Sequence, residues 1–209
     1  MQEINRHLAD TLKAERKQRG WSLDKAAAAT GVSKAMLGQI ERGESSPTVA
    51  TLWKIAGGFR CSLSTFIEAY DDKSPDQNNA PLSSGKPQIR SADQIRHQPA
   101  QDLMLVAPLF PFDPQMGFEI FELSLLSGYE RESEPHEAGV TEFVLVIEGV
   151  MEVLVEGQWH CLEKGMSIRF SADQPHGYRN LRNDTARFHN IIHYLCFSLS
   201  YLINTLKIF

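Results

Sequence analysis

Two groups of side chains in these 209 residues stand out by type and spacing. The first lies between Val32 and Thr48. Val32, Leu37 and Ile40 fall on one side of a helical turn, and Ser33, Lys34, Ala35, Gly38 and Gln39 fall on the other. An apolar inner face with a short polar outer face is what a helix needs to enter the major groove of DNA. There Lys34 can pair with guanine, Gln39 with adenine, and the Ala35 methyl can touch thymine. Arg42, Ser45, Ser46, Thr48 and the amides after it are placed for phosphates, which fix position without reading sequence. Glu41 would repel phosphate and reads as a buried structural acid. The second group is the histidines of the C-terminal half. His189 and His193 share one face of a period-two stretch. One of them is a candidate metal ligand, and the alternative is a pair of half-buried strand residues. The three cysteines, Cys61, Cys161 and Cys196, are far apart and lack metal-type spacing, so they read as reduced thiols.

The elements that position the first group are short helices. Ile4, Leu8 and Leu12 recur four apart, and Gly20 ends their helix. Ser22 caps a second helix, Leu23 to Thr30, which Gly31 stops. Ser33 caps a third, running to Arg42 before Gly43. Thr48 starts a fourth, Val49 to Ala56, and Ser62 precedes a fifth, Leu63 to Ala69. From Asp71 to about Gln88, Asp, Asn, Pro, Ser and Gly dominate, a linker composition.

After the linker the period becomes two. Phe118 to Leu123, Glu142 to Ile147, Glu152 to Glu156, Met166 to Phe170 and Phe188 to Tyr194 read as strands. Gly128, Gly149, Gly157 and Gly165 punctuate them. Short strands at this spacing indicate a sandwich or barrel. The expected organisation is a helical domain over 1–70, a linker over 71–90, a β domain over 91–194, and an apolar tail over 195–209 of unassigned role. That tail reads either as a helix packed on the barrel or a partner, or as an altered end of the gene.

The formal charge is −5. Residues 1–70 carry ten Lys and Arg against seven acids, and the rest carries eleven against nineteen. The basic excess therefore sits at the front, where a nucleic-acid contact would need it. No run of 18 apolar residues exists and the first twelve residues are polar, so neither a membrane span nor a secretory signal is expected. A cytoplasmic protein is the reading.

The run from Ser22 through Gly31-Val-Ser-Lys-Ala-Met-Leu-Gly-Gln-Ile-Glu-Arg42-Gly43, followed by Ser45-Ser46-Pro47-Thr48, resembles the helix-turn-helix of the Xre and phage-repressor family. The resemblance covers residues 4–69. It implies an all-α, five-helix, lambda-repressor-like DNA-binding domain, with Ala26 and Ala27 allowing close helix packing.

A second resemblance, over about 103–194, is to the cupin superfamily. Its first motif is matched by Gly128, His136, Glu142 and Gly149. Its second is matched by Gly165, His176 and Asn180. The resemblance implies an all-β double-stranded β-helix, or jelly-roll, barrel. Metal cupins present three histidines and one glutamate, whereas here Ala138 stands at one histidine position. His136, Glu142 and His176 remain, and two histidines with a carboxylate can hold Zn, Fe, Ni or Mn with open positions. A metal-free pocket is the other reading. Tyr178 and Arg169 join those three as candidate effector contacts.

Together the two halves resemble the Xre–cupin transcription regulators of bacteria, including enteric ones that control sulfur utilisation. The resemblance implies a non-enzymatic regulator that binds a double-stranded DNA operator as a homodimer and a small-molecule effector in the barrel. The alternative is a metal-dependent cupin enzyme with an autoregulatory DNA-binding domain.

Overall fold

The computed structural model of the protein describes residues 2–67 and 87–194. Most of the expected linker and the whole tail 195–209 lie outside the described residues.

Five helices build the N-terminal unit: α1 (Gln2–Gln18), α2 (Leu23–Thr30), α3 (Lys34–Glu41), α4 (Val49–Phe59) and α5 (Ser64–Ile67). Side chains cap three of them as the sequence indicates. Ser22 accepts from the Lys25 amide, Ser33 from the Met36 amide and Thr48 from the Thr51 amide. Between α2 and α3 the chain must reverse within three residues. Gly31 does this at φ +66°, a conformation that penalises any Cβ, while its amide bonds back to the Ala27 carbonyl. Leu8, Leu12, Leu37, Ile40, Leu52, Ile55 and Phe59 form the centre of this unit. Arg16 ties α1 to α3 by a fork onto Glu41, with contacts of 2.6 and 2.7 Å, and both side chains are largely buried. Glu41 is thus a structural acid. The fourth helix runs three residues beyond its expected end. Gly57 and Gly58 do not stop it, because Gly58 lets α2 approach: a Cβ there would lie 2.6 Å from the Ala29 carbonyl.

The second unit is antiparallel. Short α6 (Ala92–Ile95) and a 3₁₀ turn precede nine strands: β1 (Met104–Asp113), β2 (Phe118–Leu125), β3 (Glu130–Ser133), β4 (Val140–Glu148), β5 (Val150–Val155), β6 (Gln158–Glu163), β7 (Ser167–Ser171), β8 (His176–Arg179) and β9 (Ala186–Tyr194). They form a five-stranded sheet in the order β1-β2-β9-β4-β7 and a four-stranded sheet in the order β3-β8-β5-β6. The two sheets close over Phe121, Leu123, Val144, Met151, Val153 and Phe188. Period-two patterning marks β2, β4, β5, β7 and β9. It misses β1, β3 and β6, all edge strands. Pro108 and Pro111 interrupt β1, as prolines do at a sheet edge, and β3 and β6 are too exposed to alternate. It also misses β8, which is only four residues long.

The helical unit docks on the barrel, and one apolar core runs through both. The Trp53 ring of α4 lies 5.0 Å from His136 and 6.3 Å, edge-on, from Phe121. The Val49 amide at the start of α4 donates to Asp102 Oδ2 at 3.3 Å, and Arg131 Nη1 lies 3.5 Å from Thr48 Oγ1. At α5, the Ser64 amide donates to the buried Glu119 and the Phe112 amide donates to Ser64 Oγ. The Tyr194 hydroxyl donates to the other Glu119 oxygen. Burial raises the Glu119 carboxyl above its ordinary range, and these donors offset part of the rise.

Candidate functional site

Three donor groups meet inside the barrel. Strand β4 delivers Glu142 inward, since Glu142 alternates with the outward-facing Thr141 and Phe143. His176 opens β8, and His136 sits in the loop between β3 and β4. His136 Nε2 is 2.9 Å from Glu142 Oε1, and His176 Nε2 is 3.5 Å from the same oxygen. One ligand atom from each residue falls within a 4.8 Å cluster. The His176 Nδ1–H donates to the Gln174 carbonyl at 2.9 Å, which orients the ring with Nε2 toward the cluster. Tyr178 donates to Glu142 Oε2, and so does Asn190 Nδ2, at 3.0 Å. Asn190 Oδ1 is a buried acceptor without a hydrogen-bond partner among the described residues, and Asn190 lines the small space beside the cluster.

Burial alone would push the Glu142 carboxyl up. The His136 hydrogen bond, the attraction of His176 and His136, and the Tyr178 hydroxyl outweigh it, and the group is held down at about 2. Burial and then the Glu142 charge push the Tyr178 hydroxyl well above its usual range, so Tyr178 is a fixed donor.

Arg169 does not join this cluster. It sits on β7 between Ile168 and the inward Phe170, so the two-residue period turns it out beside Thr141 and His193. His189 and His193 also face outward. They alternate with the buried Phe188, Asn190, Ile192 and Tyr194, and neither reaches the cluster. Ala138 is exposed on the β3–β4 loop. Asn190 was not singled out from the sequence, although its inward place follows from the β9 alternation.

On the helical unit, Ser33, Lys34, Ala35 and Gln39 are exposed on α3. Lys34 meets Asp24 at 2.8 Å in a solvated pair of little energetic weight, so its ammonium can be redirected. Gly38 is buried rather than outward: with no side chain of its own, it lies beneath the Arg42 guanidinium and Leu23. Arg42 is exposed and forks onto Glu44. Ser45 and Ser46 are half-buried. Thr48 is a helix cap turned toward the barrel, and the Val49 amide beside it holds the Asp102 carboxylate in the place expected for a phosphate. Cys61 and Cys161 are free, and burial pushes the Cys61 thiol up to about 12.

A compact helix-turn-helix unit docked on a jelly-roll barrel with a histidine–glutamate cluster defines a two-part regulator of the helix-turn-helix and cupin type. Comparison with known proteins agrees with this. Residues 12–66 match the helix-turn-helix family HTH_3, and residues 122–192 match the cupin domain family Cupin_2. The chain is 48% identical over 194 residues to the HTH-type transcriptional regulator SutR of Escherichia coli strain K12, covering 93% of this chain and 98% of SutR. It is 45% identical to an HTH_3 family transcriptional regulator from Vibrio cholerae, whose crystal structure superposes with a TM-score of 0.71 over 92% of this chain and 98% of that one. The chain belongs to the family of HTH-type transcriptional regulators that carry a C-terminal cupin domain. Among the described residues no helix is long and apolar enough to cross a membrane.

The depressed Glu142 carboxyl has a direct consequence for stability. A carboxylate lowered from 4.5 to about 2 contributes on the order of 3 kcal/mol. That contribution is fully present above pH 4.5 and is lost as pH falls toward 2. Denaturant titrations at pH 6 and pH 3 are expected to show Glu142→Gln costing clearly more stability at pH 6. An equal cost at both pH values would mean that the ionised carboxylate is not held by this cluster.

Proposed function

We propose that the protein reads a pseudo-palindromic duplex as a homodimer and that the barrel cluster binds the signal that controls it. On the DNA side, Ser33, Lys34, Ala35 and Gln39 face the bases, while Arg42, Ser45 and Ser46 anchor phosphates. The exposed polar face of α3 carries this assignment. Gly38, covered by Arg42 and Leu23, takes no part in this surface. One such helix reads few base pairs, so two copies are needed. The outer face of the five-stranded sheet supports pairing there. Register aligns Phe110, Ile120, Ile191 and Phe143 in one apolar row across it, and Phe110 and Leu145 are each 39% exposed. Sulfur-utilisation genes are the proposed targets, an assignment resting on the resemblance of the helix-turn-helix run, the stretch that follows it to Ala56 and the Ile192-His193-Tyr194 end of the barrel. The place of action is the cytoplasm.

On the barrel side, His136, Glu142 and His176 fit a divalent ion such as Zn, Fe, Ni or Mn. The donor spacing and the His176 ring held by its Nδ1–H bond to Gln174 support the fit. Such an ion would offer open coordination positions to an effector. The space around the cluster is about 20 Å³, enough for an ion or one water with α4 in place.

Two experiments test the reading. Selection from a random duplex pool is expected to enrich a two-fold symmetric site. Gln39→Ala should then lose about 1–3 kcal/mol of discrimination at one base pair of each half-site, and Arg42→Ala should weaken binding to all sequences alike. A pool that shows no enrichment contradicts the DNA assignment. Mass spectrometry of metal content is expected to find near one equivalent in the purified protein and none in Glu142→Ala. Metal absent from both after aerobic and anaerobic preparation removes the ion from the account and leaves a metal-free pocket.

A further inference from the structure

Two cavities share part of their lining. The inner chamber of about 20 Å³ has Glu142, His176 and Asn190 at its floor and is closed by Val49, Ala50 and Trp53 of α4. A second, open cleft of about 440 Å³ lies between α4 and the β3–β4 loop. Ala50, Trp53, Ser133 and His136 line both, and the Trp53 and His136 rings, 5.0 Å apart, are the large side chains of the partition between the cleft and the chamber. Size decides what each can hold. A single water or ion needs roughly 10–15 Å³. Organic ligand sites run from about 300 Å³ upward, which the cleft satisfies and the chamber does not.

We propose that Trp53 is a gate, and that the DNA-binding unit itself closes the effector chamber. An ion fits with the gate shut. An organic effector enters from the cleft and displaces the indole. The effector class follows from the floor: Asn190 Oδ1 is a buried acceptor without a partner among the described residues and Glu142 is an acceptor beside it, so the ligand carries a hydroxyl or amine donor. This rests on the reading that the chamber is the effector site. Displacing Trp53 loosens the start of α4, where Asp102 holds the Val49 amide at 3.3 Å and Arg131 reaches Thr48. The effector and the docked DNA-binding unit are therefore alternatives, and occupancy is transmitted by release. No relay through the barrel is required.

The test uses the full chain and a neutral fluorescent arylamine, N-phenyl-1-naphthylamine, as the probe. Trp53→Ala is expected to bind it at least ten-fold more tightly than the wild type. Hydrogen exchange by mass spectrometry is the second readout. Saturating probe on the wild type is expected to speed exchange across residues 47–53 while α1 to α3 stay protected. Asp102→Asn, which keeps Trp53, is expected to speed the same segment without probe. This second variant guards against a Trp53→Ala protein that merely folds poorly. Equal probe affinity in wild type and Trp53→Ala overturns the gate, as does wild-type binding with no change at residues 47–53. If the gate variants respond as expected but Glu142→Ala leaves probe affinity unchanged, the gate stands and the assignment of the chamber floor as the effector site falls.

Discussion

The packing of Trp53 onto the barrel mouth is the contact on which the rest of the arrangement depends. A ring pair of this kind contributes about 0.5–1.5 kcal/mol beyond its buried area. Its larger effect is positional. It fastens α4, the helix that packs behind α2, over the opening that contains Glu142. Around it, two barrel carboxylates receive backbone amides of the helical unit: Asp102 at the start of α4 and Glu119 at the start of α5. Carboxylates are favoured at helix starts because the amides there have no partner within the helix. Docking therefore satisfies groups that would otherwise face water or DNA.

The same placement links the chamber to the helical unit. His136 is the shared component, hydrogen-bonded to Glu142 on one side and packed against Trp53 on the other. A change in what Glu142 and His176 hold alters the surroundings of His136, and His136 is the floor on which Trp53 rests. The third helix, α3, keeps Ser33, Lys34 and Gln39 exposed. In the proposed scheme control acts on how α4 and its neighbours are held, and the exposed face of α3 stays uncovered.

Much of this was legible from residue types. The caps Ser22, Ser33 and Thr48, with Gly31 between, mark helix boundaries because each satisfies a local backbone requirement that no distant residue can supply. Alternation marked β2, β4, β5, β7 and β9 because in each the inward positions carry mostly apolar side chains at every second residue, whereas β8, four residues long, is too short to show it. Edge strands such as β1 escaped because Pro108 and Pro111 mask the pattern. Arg169 was misplaced because a motif position says nothing about which way a side chain turns, whereas its neighbour Phe170 does. Docking was illegible. Asp102 and Glu119 look like ordinary acids, and Trp53 looks like a core residue of its own helix. Only the meeting of two separately patterned units makes them partners.

Scanning calorimetry of the full-length protein tests the shared core most directly. With one apolar core and two capped helix starts joining the units, the helical and barrel signals are expected to melt in a single transition. Its calorimetric enthalpy should match the van't Hoff value. Two separate transitions, the first accounting for the helical unit alone, would contradict the account. The DNA-binding unit would then be tethered to the barrel without closing it.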